Sequence, residues 1–344
     1  MGPIEKTLKR LPISADDEKP LWFMRQAGRV LPRYLKLRES YSFDTLMKEP
    51  ELAAKVTLLP IEDLKVNGAI LFSDILVIPE ALGMELKFTD AGPRFSSPLS
   101  QAPNSIEHLS FDDSKLQHVY KTLEILTREL PQKVTMIGFC GAPLTVFCYM
   151  VQGLGSDHDF PAAVSLFYKE EKLRNILLEK ITQASIEYAK HQVAAGARVF
   201  QLFDTWAGIL PAKDFTEIIL PYVQRILASI RETGVPVIYF PRGLGLANSA
   251  ITFEIADGLG VDWQSDLAEI DSIVPADITL QGNLDPRRVK AGWPFVQPAL
   301  DQLIEFHIAR RAKPGKHIFN LGHGVIPGTK METLQKIVQR IQEK

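Results

Sequence analysis

The stretch VTMIGFCGAPLTVFCYMVQGLGS, residues 134–156, contains no charged side chain. As one helix it would be long enough to cross a bilayer. Gly138, Gly141 and Pro143 fall in its middle, however, and divide it into two short pieces. The first piece, VTMIGF, is β-rich. The second, LTVFCYMVQ, has the make-up of a helix. A buried strand, a tight turn and a buried helix account for the segment better than a membrane span. That reading sets the fold class, because a strand apolar on both faces belongs in a parallel sheet covered by helices.

The same pattern recurs on either side. Short apolar runs stand at PLWFM (20–24), VNGAILF (66–72), VTMIGF (134–139), RVFQLF (198–203), PVIYF (236–240), LGVDW (259–263), ITLQG (278–282) and HIFNL (317–321). Each is too short for a helix and rich in Val, Ile, Leu or Phe, as buried strands are. Between them, 43–59, 116–130, 162–195, 215–231, 294–311 and 331–344 carry apolar residues at helical spacing. Alternating strands and helices predict an α/β fold with right-handed crossovers. Eight such units make a single (β/α)8 TIM barrel over residues 20–344. A doubly wound open sheet also reaches eight strands, so the count alone leaves that alternative open. Residues 1–19, polar and rich in charge from Asp16 to Lys19, read as a flexible N-terminal arm.

Composition narrows the function. The chain has 344 residues and a net charge of −2, so no overall basic field recruits nucleic acid or an anionic membrane. An anionic ligand would have to meet locally concentrated positive charge. Two cysteines, Cys140 and Cys148, match no CxxC or zinc-ribbon spacing, and a chain this large has no disulfide framework. A reducing, cytoplasmic setting is expected. The first residues, MGPIEKTLKR, lack the apolar core of a signal peptide. HExxH, clustered Cys/His, GxGxxG, GxSxG and P-loop patterns are all missing, so no metal and no dinucleotide cofactor is expected.

A barrel places its chemistry at the C-terminal ends of its strands. The residues just past each run are therefore the candidates. They are Arg25, Gln26, Ala27, Gly28 and Arg29 after the first, and Asp74 after the second. The third run is followed by a Gly-Ala-Pro turn and Tyr149, and the fourth by Asp204, Thr205 and Trp206. Arg242 follows the fifth, Asn283 and Asp285 the seventh, and His323 the eighth. Each has a plain structural alternative. Arg25 and Arg29 would pair with rim carboxylates such as Asp74 or Asp204, Asp74 would cap a turn, and Tyr149 would be a core tyrosine. Thr205 would cap a helix, and His323 would bond a loop carbonyl. The Ala27-Gly28 pair between two arginines favours a ligand, since small residues let backbone N–H groups approach it and guanidinium forks grip carboxylates. Asp74, in AILFSDILVIP, reads as a carboxylate held where a cation would be felt strongly.

Taken together, WFMRQAGRVLPRY, FSDILVIPEALGM, GFCGAPLTVFCYMVQG, LFDTWAG, VDW, LQGNLDP and NLGHGVIP resemble, in order, the blocks of the uroporphyrinogen decarboxylase family. The resemblance runs from about Pro20 to the C-terminal helix. It implies a cofactor-free barrel, usually a homodimer, that removes carboxyl groups from the four acetate arms of uroporphyrinogen to give coproporphyrinogen. By position, Arg25 through Arg29 and His323 would bind substrate carboxylates. Asp74 would accept the pyrrole N–H groups, and Tyr149 and Thr205 would complete the pocket; Asp74 and Arg25 are the catalytic candidates. Val30, Cys140 and Thr205 stand where the family has an aromatic, another small residue and a serine. Two rivals are a corrinoid-linked methyltransferase of the same superfamily, which would need a zinc ligand set, and a non-catalytic tetrapyrrole carrier. A carboxylate at Asp74 would cost a carrier of anions, which favours the enzyme.

Overall fold

The computed structural model describes residues 1–14, 17–89, 92–153 and 159–343. Nine strands occur among them: β1 (Gly68–Ile70), β2 (Leu86–Thr89), β3 (Gly92–Phe95), β4 (Thr135–Gly141), β5 (Val199–Asp204), β6 (Val237–Pro241), β7 (Gly258–Gly260), β8 (Thr279–Gln281) and β9 (His317–Ile318). Seven form one parallel sheet in the order β1-β4-β5-β6-β7-β8-β9. The Pro20–Met24 run fills the gap between the sheet's two edges. Leu21 bridges Phe319 in parallel. Phe319 N–H donates to Pro20 O at 2.9 Å, and Asn67 N–H donates to Leu21 O at 3.1 Å on the other side. The Asn67 side chain adds a further bond, its Oδ1 accepting from Leu21 N–H at 2.9 Å. With that run in place the sheet closes into the expected (β/α)8 barrel.

The segment 134–156 folds as its breakers dictate. Every residue of β4 is buried. Pro143 opens the helix Pro143–Gln152, and Gly153 ends it in a left-handed conformation at φ +80°. Residues 154–156 lie outside the described ones. No helix of the described residues is long and apolar enough to cross a membrane. The expected helix over 43–59 is two, Phe43–Lys48 and Pro50–Asp63. Pro50 forces Glu49 into an extended conformation, at ψ 111°.

Two parts depart from expectation. Residues 1–19 do not form a loose arm throughout: Pro3–Leu8 is a helix with Ile4 and Leu8 buried. It packs against the N-terminal ends of the strands. A Cβ on Gly68 would come within 2.6 Å of Ile4, and one on Gly258 within 2.9 Å of Leu8. Six residues are too few for their pattern to announce a helix, and packing rather than propensity holds it. The second departure is the antiparallel hairpin β2–β3, inserted between β1 and the next long helix. It is fastened beside the helix Pro143–Gln152, with Phe95 N–H donating to Gly153 O at 3.1 Å and Leu99 N–H to Met150 O at 3.0 Å.

Candidate active site

The loop Arg25–Arg29 is held by the barrel seam. Asn320 Oδ1 accepts from Met24 N–H at 3.0 Å, and Val325 N–H donates to Met24 O at 2.8 Å. Gln26, fully buried, braces the turn from below: its Oε1 accepts from Phe23 N–H at 3.0 Å and its Nε2 donates to Gly68 O at 2.8 Å. Both polar atoms of its side chain are thus committed to the backbone. Arg25 takes a left-handed backbone conformation, φ +60°, a strain that non-glycine residues carry mainly where function needs it. Arg25 and Arg29 are both exposed, and among the described residues neither has a carboxylate or hydrogen-bond partner. The structural alternative of pairing with Asp74 or Asp204 is therefore not what the molecule adopts. The N–H groups of Ala27 and Gly28 also donate to no described residue.

Asp74 is half-buried past β1, its Oδ1 accepting from Leu76 N–H at 2.9 Å. Burial pushes its carboxyl above the ordinary range, and the Leu76 N–H and the Arg25 charge act against that rise. Tyr149, on the helix Pro143–Gln152, lies edge-on to Phe160 and Trp206 at 5.6 and 6.5 Å. Burial raises its phenol; the field of Asp74 raises it further and that of Arg25 opposes the rise. His323 stacks on Trp263, ring centres 5.7 Å apart and planes 16° from parallel. Burial first, then the positive charges of Arg25 and Arg242, push its imidazole down to about 3. At neutral pH it is an uncharged hydrogen-bonding group, not a cation. Arg25, Asp74, Tyr149 and His323 thus share one electrostatic neighbourhood. Arg29 stands further out, its charge felt at Tyr34.

Thr205 is half-buried at the end of β5, and its neighbours fix it. Asp204, wholly buried, accepts from Thr145 Oγ1 at 2.6 Å and from Tyr239 OH at 2.8 Å. Thr145 Oγ1 in turn accepts from Trp206 N–H at 3.0 Å. Below the rim lies an aromatic floor that the motifs did not announce. Phe139 meets Phe203 at 5.7 Å, Phe203 meets Phe240 at 6.1 Å, and Phe240 meets His323 at 6.4 Å. These are the last phenylalanines of β4, β5 and β6, so the strand runs held the signal, but only the barrel shows that they adjoin. Arg242 is the other residue given too little weight. Its guanidinium lies over Trp206 at 5.3 Å and over Trp263 at 5.1 Å.

This mouth joins unpaired cations, a carboxylate in apolar surroundings and a floor of aromatic rings set edge to face. It suits an anionic ligand with an apolar body. The family model for uroporphyrinogen decarboxylase matches residues 4–344. The chain belongs to the uroporphyrinogen decarboxylase family. A uroporphyrinogen decarboxylase of Geobacter sp. (strain M21) is 40% identical over 313 residues, covering 90% of each chain. One from Pelobacter propionicus is 40% identical over 328 residues, covering 95% of this chain and 94% of the relative. Among solved structures, a methyltransferase from Methanosarcina mazei superposes with a TM-score of 0.78 over 98% of this chain and 97% of its own, at 20% identity. A B12-independent methionine synthase from Shewanella sp. W3-18-1 superposes at 0.54, over 85% of this chain and 88% of its own, at 12% identity. These two share the barrel fold with the family and carry no argument about its reaction. Cys140 and Cys148 are free and buried, and burial raises both thiols. Among the described residues no three His, Cys, Asp or Glu side chains are grouped to hold a metal.

Proposed function

We propose that this chain is a carboxy-lyase of tetrapyrrole (porphyrin and haem) biosynthesis. It converts the four acetate arms of uroporphyrinogen III to methyl groups, yielding coproporphyrinogen III and carbon dioxide. The observation that carries the reading is the joining of Arg25, Asp74, Tyr149 and His323 in one field, with Arg25 free of any carboxylate partner among the described residues. An arginine kept unpaired beside a site is placed for an anion that arrives from outside.

The chemistry follows from the substrate. Loss of carbon dioxide from an acetate arm leaves an electron pair on the methylene carbon. If the adjacent pyrrole carbon is first protonated, that pair flows into the ring as the C–C bond breaks. Protonation of the exocyclic methylene and loss of the ring proton then give the methyl group. The ring is its own electron sink, so the step calls for no added pyridoxal or thiamine. Asp74 faces the pyrrole N–H groups and stabilises the cation that develops on the ring, an effect larger in the transition state than in the ground state. The four N–H donors also pull the Asp74 carboxyl back toward its ionised form. Arg25, with the free N–H groups of Ala27 and Gly28, holds a carboxylate arm. Arg29 supplies positive charge further out, and His323 donates a neutral hydrogen bond. Tyr149 and Thr205 line the reacting arm. A guanidinium is a poor acid, so the ring proton comes from water or from a substrate carboxylic acid held by Arg25. Gln26 acts only through the shape of the loop. The protein works as a homodimer in the cytoplasm, which sedimentation and cell fractionation test.

The deciding experiment is anaerobic incubation of the chelator-treated protein with uroporphyrinogen III, followed by oxidation and separation of the porphyrins by carboxyl count. A ladder from eight carboxyls down to four is expected, and Arg25→Ala should abolish most of it. Unchanged substrate with the native protein would refute the reading.

A further inference from the structure

Counted round the barrel from the Pro20–Met24 run, the next positions are β1, β4, β5 and β6. β6 therefore lies diametrically opposite the strand that carries Arg25. Arg242 is the first residue past β6, and its backbone is locked. Arg242 N–H donates to Asp204 O at 3.0 Å, and Gly208 N–H donates to Arg242 O at 3.0 Å. The following Gly243 N–H donates to Asp262 Oδ2 at 2.7 Å. The side chain rises from this anchored turn between Trp206 and Trp263. The Trp rings hold the guanidinium by cation–π attraction, yet none of its N–H donors has an acceptor among the described residues. A second cation stands beside it: exposed Arg287 also lies over Trp263, at 5.1 Å, and likewise lacks an acceptor or carboxylate partner. Asp262, the near carboxylate, is occupied by Gly243 N–H and Gln264 N–H at 2.7 and 2.8 Å. The charge of Asp262 favours the Arg242 cation from a distance and that of Arg287 opposes it, but no carboxylate among the described residues touches either guanidinium, and an arriving anion could bridge the two.

We propose that Arg242 and Arg287, seated on Trp206 and Trp263, form a second carboxylate-binding subsite on the rim opposite Arg25, gripping the peripheral carboxylate arms of the ligand. This rests on the reading that the ligand is a polycarboxylate tetrapyrrole. A ring held at one side only would pivot in the mouth. Grips on opposite rims fix it over Asp74. The field of Arg242 at His323 agrees with a guanidinium turned into the mouth.

The test compares the native protein with Arg242→Gln, Arg242→Lys and Arg287→Gln. Two readouts are used: anaerobic steady-state kinetics with uroporphyrinogen III, and quenching of tryptophan fluorescence by added uroporphyrin, which needs no turnover. For Arg242→Gln, KM should rise about tenfold or more with kcat within about threefold, and the quenching titration should shift in parallel. Its KM should also depend less on salt, because an ion contact is gone. Arg242→Lys should recover part of the loss, and Arg287→Gln, on an exposed position, should show a smaller change of the same sign. Unchanged KM and quenching in both glutamine variants would overturn the subsite, as would a fall in kcat alone. So would a lowered melting temperature without a change in affinity, which would make Arg242 a structural wedge between the tryptophans. A native protein that binds uroporphyrin but yields no decarboxylation ladder would refute the proposed reaction and leave the subsite standing if Arg242→Gln still weakens the quenching.

Discussion

Replacing Asp204 with asparagine should make the protein more stable as the pH rises, relative to the native chain. Asp204 is wholly buried, and burial raises its carboxyl from an ordinary 3.8 to about 6, although Thr145 and Tyr239 both donate to it. A group whose folded-state value lies above its unfolded one holds its proton longer in the native state. Stability is then highest below about pH 4 and falls as the pH passes through about 6. The gap between 3.8 and about 6 corresponds to about 3 kcal/mol lost by the native chain at pH 8. Asparagine has the same shape, keeps one acceptor and never ionises. The assay is urea denaturation of both proteins at pH 4, 5, 6, 7 and 8. The difference in unfolding free energy should move by about 3 kcal/mol in favour of Asp204→Asn from the lowest pH to the highest. A difference flat with pH would show that the carboxylate is not destabilised by burial. A difference moving the other way would show that its two hydrogen bonds outweigh the desolvation, and the reasoning would be wrong.

Asp74→Asn should lower kcat by about a hundred- to a thousandfold with KM changed only a few-fold; equal loss in both, or none in either, would remove its role in the transition state. Gly324→Ala places a Cβ against Cδ of Arg25, so KM should rise about tenfold with the melting temperature little changed, whereas native kinetics would mean that Arg25 need not keep its place. The His323 imidazole, held down at about 3 in part by Arg25, should titrate higher in Arg25→Gln, since removing a cation eases protonation; an NMR titration that does not move would show that burial and Arg242 set it without Arg25. Tyr149→Phe should cost less than tenfold in activity, and an inactive but folded variant would show that its hydroxyl takes part in the chemistry.

Much of the barrel was legible because its strands are buried on both faces, which removes polar alternation and leaves short apolar runs. Even the Pro20–Met24 run was readable, although it is tied in by little more than the Leu21 bridge and a few flanking bonds. What could not be read depends on packing at a distance. The helix Pro3–Leu8 is stabilised by strand ends that lie far along the chain. The hairpin β2–β3 is a local addition to one loop and breaks the βα rhythm. The site followed the same division. Arg25, Asp74, Tyr149 and His323, candidates because they follow strand ends, do come together at one mouth. Gln26 differs in that its side chain bonds the backbone at Phe23 and Gly68, which the motif alone could not show. Arg242 stood in the sequence as one more arginine after a strand; its two tryptophans come from other strands' loops.

The seam ties the arginine loop to a distant stretch of the chain. Pro20 is bonded to Phe319, Met24 to Asn320 and Val325, and Lys19 to Gln342 through paired bonds of 2.9 Å. The Pro20–Met24 strand therefore has one neighbour close in the chain, at Asn67, and one far along it, at Phe319. A chain cut just before His317 would keep the Gln26 brace under the arginine loop and most rim side chains, yet lose the Asn320 and Val325 bonds that hold Met24 in front of that loop. The aim of the arginine loop thus depends on a stretch of chain remote from it in sequence.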